Sequence, residues 1–144
     1  MKKFLILSLL IFSNLIAEDF LKKDDGTIID VKNKIFWQEC SAGTENCSDS
    51  PKPMNWESAM QYCANLKLAS KKWKLPSEAQ LKLLKKNNGK IIDSSFFKDL
   101  IAEESYWSST ENKDLRFATY WVPVNSYIWH HFKTNKSYVR CVSR

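Results

Sequence analysis

Four cysteines, two adjacent histidines and one stretch dense in aromatic rings are the side chains of this 144-residue chain best equipped for chemistry. Cys40, Cys47, Cys63 and Cys141 form no Cys-x-x-Cys pair, and neither His130 nor His131 stands at finger-like spacing from two of them. A thiol redox centre or a structural zinc therefore has little support. In an oxidising compartment four cysteines mean two disulfides, for which three pairings exist. Cys40 and Cys47 enclose the polar turn segment Ser41-Ala42-Gly43-Thr44-Glu45-Asn46, which suits local closure. His130 and His131 are neighbours on a predicted strand, so they point to opposite faces and cannot easily chelate one ion; one is read as exposed and the other as packed. His-Glu-x-x-His, Gly-x-Ser-x-Gly and phosphate-loop motifs do not occur. No catalytic residue, metal ligand or cofactor is assigned.

Binding is the chemistry that remains. Arg116, Tyr120, Trp121, Tyr127, Trp129, His130 and Phe132 crowd a short stretch. Aromatic faces beside a guanidinium suit stacking on sugar rings or gripping a protein partner. Along alternating strands half of these rings are expected to fill the core instead. Arg116, Tyr120, Tyr127, Trp129 and His130 are the ligand-binding candidates. A second set is basic: Lys71, Lys72, Lys74, Lys82, Lys85, Lys86 and Lys90 surround a predicted helix. Lys82, Lys85 and Lys86 are candidates for an anionic ligand, although a charge run is ordinarily a solvated face. The carboxylates Glu103, Glu104, Glu111 and Asp114 show no calcium-ligand spacing, and Asp24, Asp25 and Asp30 read as the solvated edge of a hairpin.

These side chains need a scaffold. Met1-Lys2-Lys3, the apolar run Phe4 to Phe12, and Ala17 before Glu18-Asp19 read as a secretory signal peptide over residues 1–17. The apolar run is too short to span a bilayer comfortably, and no later segment is long and apolar enough to cross one. The formal charge of +6 falls to +4 once Lys2 and Lys3 leave, a mild bias toward anionic partners. Export to a periplasmic or secreted location argues against a nucleic-acid partner. Residues 18–25 read as a short polar N-terminal segment and residues 26–144 as a single domain, whose five Phe, six Trp and five Tyr imply a core built from rings.

Thr27 to Val31 and Ile35-Phe36-Trp37 predict two strands of one hairpin. Asn55 is a good N-cap, and Trp56, Ala59, Met60, Cys63 and Leu66 share one face of a helix reaching about Leu68. Ser77 with Gln80 makes a capping box for a second helix of about ten residues, with Leu81 and Leu84 inward and Asn87-Asn88-Gly89 as its stop. Phe96, Phe97 and Leu100 pack a turn. Strands follow over Tyr106 to Ser109, Arg116 to Val122, Tyr127 to Phe132 and Tyr138 to Val142, with turns at Asn125-Ser126 and Thr134-Asn135-Lys136. The fold class is α+β: two helices packed on short antiparallel strands, disulfide-stapled, with its termini close.

Four signposts, Trp56-x-x-Ala59-x-x-x-Cys63, Trp73-Lys74-Leu75-Pro76-Ser77, Tyr106-Trp107-Ser108-Ser109-Thr110 and Val139-Arg140-Cys141-Val142, resemble the Lcl C-terminal domain family. Its members are similar to small C-type-lectin-like domains of unknown function. The resemblance runs from about Gly26 to Val142 and implies a bond between Cys63 on the first helix and Cys141 on the last strand. It also implies a ligand surface in the second half, between Trp107 and Tyr138. The family usually shows Trp-Arg-Leu-Pro where this chain has Lys74, and a lysine does not reproduce an arginine's forked donors. Lectins hold calcium with a Glu-Pro-Asn or Gln-Pro-Asp loop and a following Trp-Asn-Asp, whereas this chain has Val122-Pro123-Val124, without side-chain oxygens. The expectation is an exported, calcium-independent, non-enzymatic domain that binds an envelope glycan or protein. The alternatives are a thiol-active or other enzyme on a formylglycine-generating-enzyme-like fold, or a structural envelope subunit.

Overall fold

The described residues form two antiparallel sheets, one of four strands and one of three. The computed structural model describes residues 19–44, 46–85 and 96–144. The signal-peptide reading, Lys86, Lys90 and the Asn87-Asn88-Gly89 stop lie outside the described residues.

In the first sheet, β2 (Thr27–Asp30) and β3 (Ile35–Gln38) form the expected hairpin, with Ile28 opposite Trp37. The segment expected to be a polar lead-in contributes a strand, β1 (Phe20–Lys22), paired along β2. Phe20 is buried while Leu21 and Lys22 are exposed, the profile of an edge strand that anchors one ring. Asp30 also departs from expectation. It is buried, and its carboxylate accepts hydrogen bonds from the Asn33 backbone N–H (2.9 Å) and side-chain amide (2.8 Å), closing the hairpin turn. The last strand, β7 (Val142–Ser143), pairs with β3 and is much shorter than the Tyr138 to Val142 strand expected.

Helix α1 (Trp56–Asn65) begins where Asn55 accepts from the Ser58 N–H. It buries Ala59 and Cys63, leaves Met60 exposed, and stops before Leu68 because Leu66 turns extended. Positive φ at Ala69 and Ser70 then carries the chain away. Helix α2 (Glu78–Lys82) has the predicted Ser77–Gln80 capping box. Its regular part is five residues rather than about ten. Leu83, Leu84 and Lys85 continue with bonds to the third residue back, a tightened turn that still points Leu81 and Leu84 inward.

The second sheet comprises β4 (Tyr106–Glu111), β5 (Phe117–Val122) and β6 (Tyr127–Phe132). It separates two apolar clusters. Tyr106 and Trp121 pack with Leu81, Leu84, Phe97, Trp37 and Ile28 on the α2 side. Trp107 and Ala118 pack with Ala59, Cys63, Trp73 and Leu75 on the α1 side. Disulfides join Cys40 to Cys47 and Cys63 to Cys141, so the long bond ties α1 to the residue preceding β7. Lys74 stands exposed, and its backbone exchanges two 2.9 Å hydrogen bonds with Val142. That position works through its main chain, which a lysine supplies as well as an arginine.

Candidate ligand-binding surface

Among the described residues strand β6 has no strand beyond it and forms the open edge of its sheet, and its register with β5 decides which rings are core. Tyr120 opposes Trp129 and Val122 opposes Tyr127 on the α1 face; Trp121 opposes Ile128 and Phe117 opposes Phe132 on the α2 face. Trp121 is only 1% exposed, and its indole N–H donates to Ser126 Oγ at 2.9 Å, so it belongs to the core. At the strand edge, Tyr127, Trp129 and Phe132 remain 46%, 53% and 48% exposed. The crowded stretch thus splits into a buried inner part and an open outer one.

The outer rings form a continuous run. Tyr127 and Trp129 lie 6.1 Å apart with planes 18° from parallel, and Trp129 meets His130 at 4.8 Å and 23°. His130 stands edge-on to Phe117 at 5.2 Å, and Phe117 stacks on Phe132 at 4.3 Å. Because Tyr127 and Trp129 belong to one face while His130 and Phe132 belong to the other, the run wraps around the free edge of the sheet. The turn before β6 aims its first ring: Asn125 Oδ1 accepts from the Tyr127 N–H at 3.0 Å, and Ser126 takes the left-handed backbone conformation, φ 54°.

The two histidines do face opposite ways, and both are half-buried. His131 lies flat on Tyr120, 4.0 Å between centroids, and edge-on to Trp107 at 5.9 Å. Burial, reinforced by the charge of His130, lowers the His131 pKa below its ordinary value. Burial likewise raises that of Tyr120.

Arg116 stands beside the run, its guanidinium 5.7 Å from the Phe117 centroid, but its charge is already engaged. Asp114 accepts from Arg116 Nε at 3.0 Å and from its terminal nitrogen at 2.6 Å. Hydrogen bonds from Arg116 hold the Asp114 carboxyl down at about 2. Glu111 is paired with Lys133, whose ammonium also sits over the Trp56 ring at 4.3 Å. Among the described residues, no group of three or more His, Cys, Asp or Glu side chains is gathered where it would hold a metal.

The basic candidates lie elsewhere. Lys82 is paired with Glu78 at 2.9 Å on α2, and Lys85 follows exposed at the helix end. Leu81 and Leu84 pack α2 against the Tyr106 and Trp121 face, opposite to that carrying Tyr127 and Trp129. Lys71, also of the basic set, covers the Phe36 ring at 3.5 Å. The lysines and the Tyr127–Trp129 pair therefore do not form one surface.

Sequence reasoning gave no role to Arg140, which proves to be fully buried. It donates to the carbonyls of Gln38 and Glu39, to Ser41 Oγ and to the carboxylate of Asp99. Its place in the terminal Val-Arg-Cys-Val signpost was the available signal.

In architecture the chain is similar to a crystal structure of botrocetin, with 11% identity, 88% of this chain and 96% of that chain covered, and a TM-score of 0.49. No curated protein matches it in sequence. The family profile of the Lcl C-terminal domain matches residues 26–143, the stretch holding both disulfides and all the strands from β2 onward, and the chain therefore belongs to the Lcl C-terminal domain family.

Proposed function

We propose that this chain is an exported, non-enzymatic, C-type-lectin-like binding module that recognises a glycan of the cell envelope without calcium, using the ring run on β6. The observation that carries the reading is the exposure of Tyr127, Trp129 and Phe132 in one connected run on an open sheet edge. Large exposed apolar patches on small domains mark interaction sites. A sugar ring presents C–H groups that pack on an aromatic ring while its hydroxyls stay solvated. A protein partner would ordinarily be gripped by anchors seated in pockets with a charged rim. Two disulfides support a periplasmic or secreted location. The folded unit begins by Phe20, since β1 is part of the first sheet.

A glycan array probed with the exported form of the domain, with and without chelator, tests this. Binding should survive chelator and be lost in Trp129→Ala. Binding abolished by chelator and restored by calcium would overturn the calcium-independent reading. An envelope protein captured equally well by wild type and Trp129→Ala, with no glycan bound, would overturn the assignment of ligand and surface together.

A further inference from the structure

Resting on the glycan reading, we infer that the ligand is an uncharged polysaccharide gripped along several successive sugar units, rather than an anionic glycan or a terminal sugar. Length is the first argument. The ring run extends from Tyr127 to Phe132, five steps along a strand, or roughly 17 Å at about 3.3 Å per residue. That is much longer than one sugar ring.

Charge is the second argument. Neither β5 (Phe-Ala-Thr-Tyr-Trp-Val) nor β6 (Tyr-Ile-Trp-His-His-Phe) carries a lysine, arginine, aspartate or glutamate. The guanidinium nearest the rings, that of Arg116, is held by both oxygens of Asp114. Helix α2 packs on the sheet face opposite to Tyr127 and Trp129, its Lys82 is paired with Glu78, and Lys133 beside Phe132 is paired with Glu111. A sulfated or carboxylated chain laid on this edge would lose water from its anions and receive little compensating charge.

Polarity is the third. Recognition of a terminal sugar needs convergent donors and acceptors for its hydroxyls. The Asn125 amide oxygen at the head of β6 is used by the Tyr127 N–H, and the Ser126 hydroxyl by Trp121. The surface offers ring area along the strand edge and around it, from the Tyr127–Trp129 face to the His130–Phe132 face, which suits an internal stretch of chain with repeating C–H faces.

The test is calorimetric titration of the domain with soluble neutral polysaccharides (β-glucan, mannan, xylan and galactan), with heparin and polygalacturonate as charged counterparts. Length ladders of oligosaccharides from any neutral binder complete the set. At least one neutral polymer should bind, more tightly as the oligosaccharide lengthens, with affinity unchanged up to about 0.5 M salt. Trp129→Ala should weaken it about tenfold. Tyr127→Ala and Phe132→Ala should each weaken long oligosaccharides more than short ones, while melting temperatures stay near wild type because these rings are exposed. Binding of heparin alone, lost with salt, or affinity already complete for a monosaccharide, would overturn this inference while leaving the glycan reading standing. Absence of binding to every polymer would overturn both.

Discussion

Arg140 and Asp99 form an ion pair from which water is excluded, their side chains 0% and 3% exposed. Asp99 also accepts from the Ser41 N–H at 2.6 Å, so three distant segments meet at one carboxylate. Removing it strands a guanidinium in the interior. Asp99→Ala should cost about 3–5 kcal/mol in urea unfolding. Replacing both partners by apolar residues of similar volume should cost less, and equal losses would show that the charge is not what matters.

The disulfides should differ in weight. The Cys63–Cys141 bond spans 78 residues and the Cys40–Cys47 bond 7. By loop entropy, Cys63→Ala with Cys141→Ala should lose about 4 kcal/mol and Cys40→Ala with Cys47→Ala about 2, measured without reductant. Intact mass of the protein purified without reductant should show no free thiol.

Stability should fall on mild acidification because of His131. Its imidazole is packed against Tyr120 and Trp107, and its pKa lies below the ordinary 6.5. The unfolded chain therefore takes up that proton first as pH falls. The contribution is whole above pH 6.5, declines between 6.5 and the lowered folded value, and levels off below it. His131→Phe should flatten this part of the profile, and an unchanged profile would place the sensitivity elsewhere.

Two tryptophans of adjacent strands should behave oppositely. Trp121→Ala empties a fully buried site and should cost roughly 3–5 kcal/mol, whereas Trp129→Ala should change stability by less than about 1 kcal/mol. Comparable melting temperatures for the two variants would mean that the core has been misplaced.

That contrast marks the limit of what the residues alone reveal. The alternation of β5 and β6 shows that rings must divide between two faces, but not that Trp121 lies under α2 while Trp129 stands at an open edge. Sheet order decides that, and it depends on pairings between distant strands. Local signals were legible: Asn55 and Ser77 cap their helices, and Ala59 and Cys63 face inward as their spacing requires. Strand β1 escaped notice because two of its three residues are exposed. The length of α2 was overread because a capping box fixes where a helix starts, not where it ends. The Arg140–Asp99 pair was invisible because its partners are 41 positions apart and join only through tertiary packing.

The cysteines are joined first to second and third to fourth along the chain. During synthesis the amino-terminal end arrives first. An oxidant that joins each thiol to the nearest one already available then closes the 40–47 loop before Cys63 appears. Cys63 is left waiting for a single remaining partner. Joined in this order along the chain, neither bond has to be shuffled into the other if oxidation proceeds from the amino-terminal end, and the long staple joins α1 to the segment that pairs with β3.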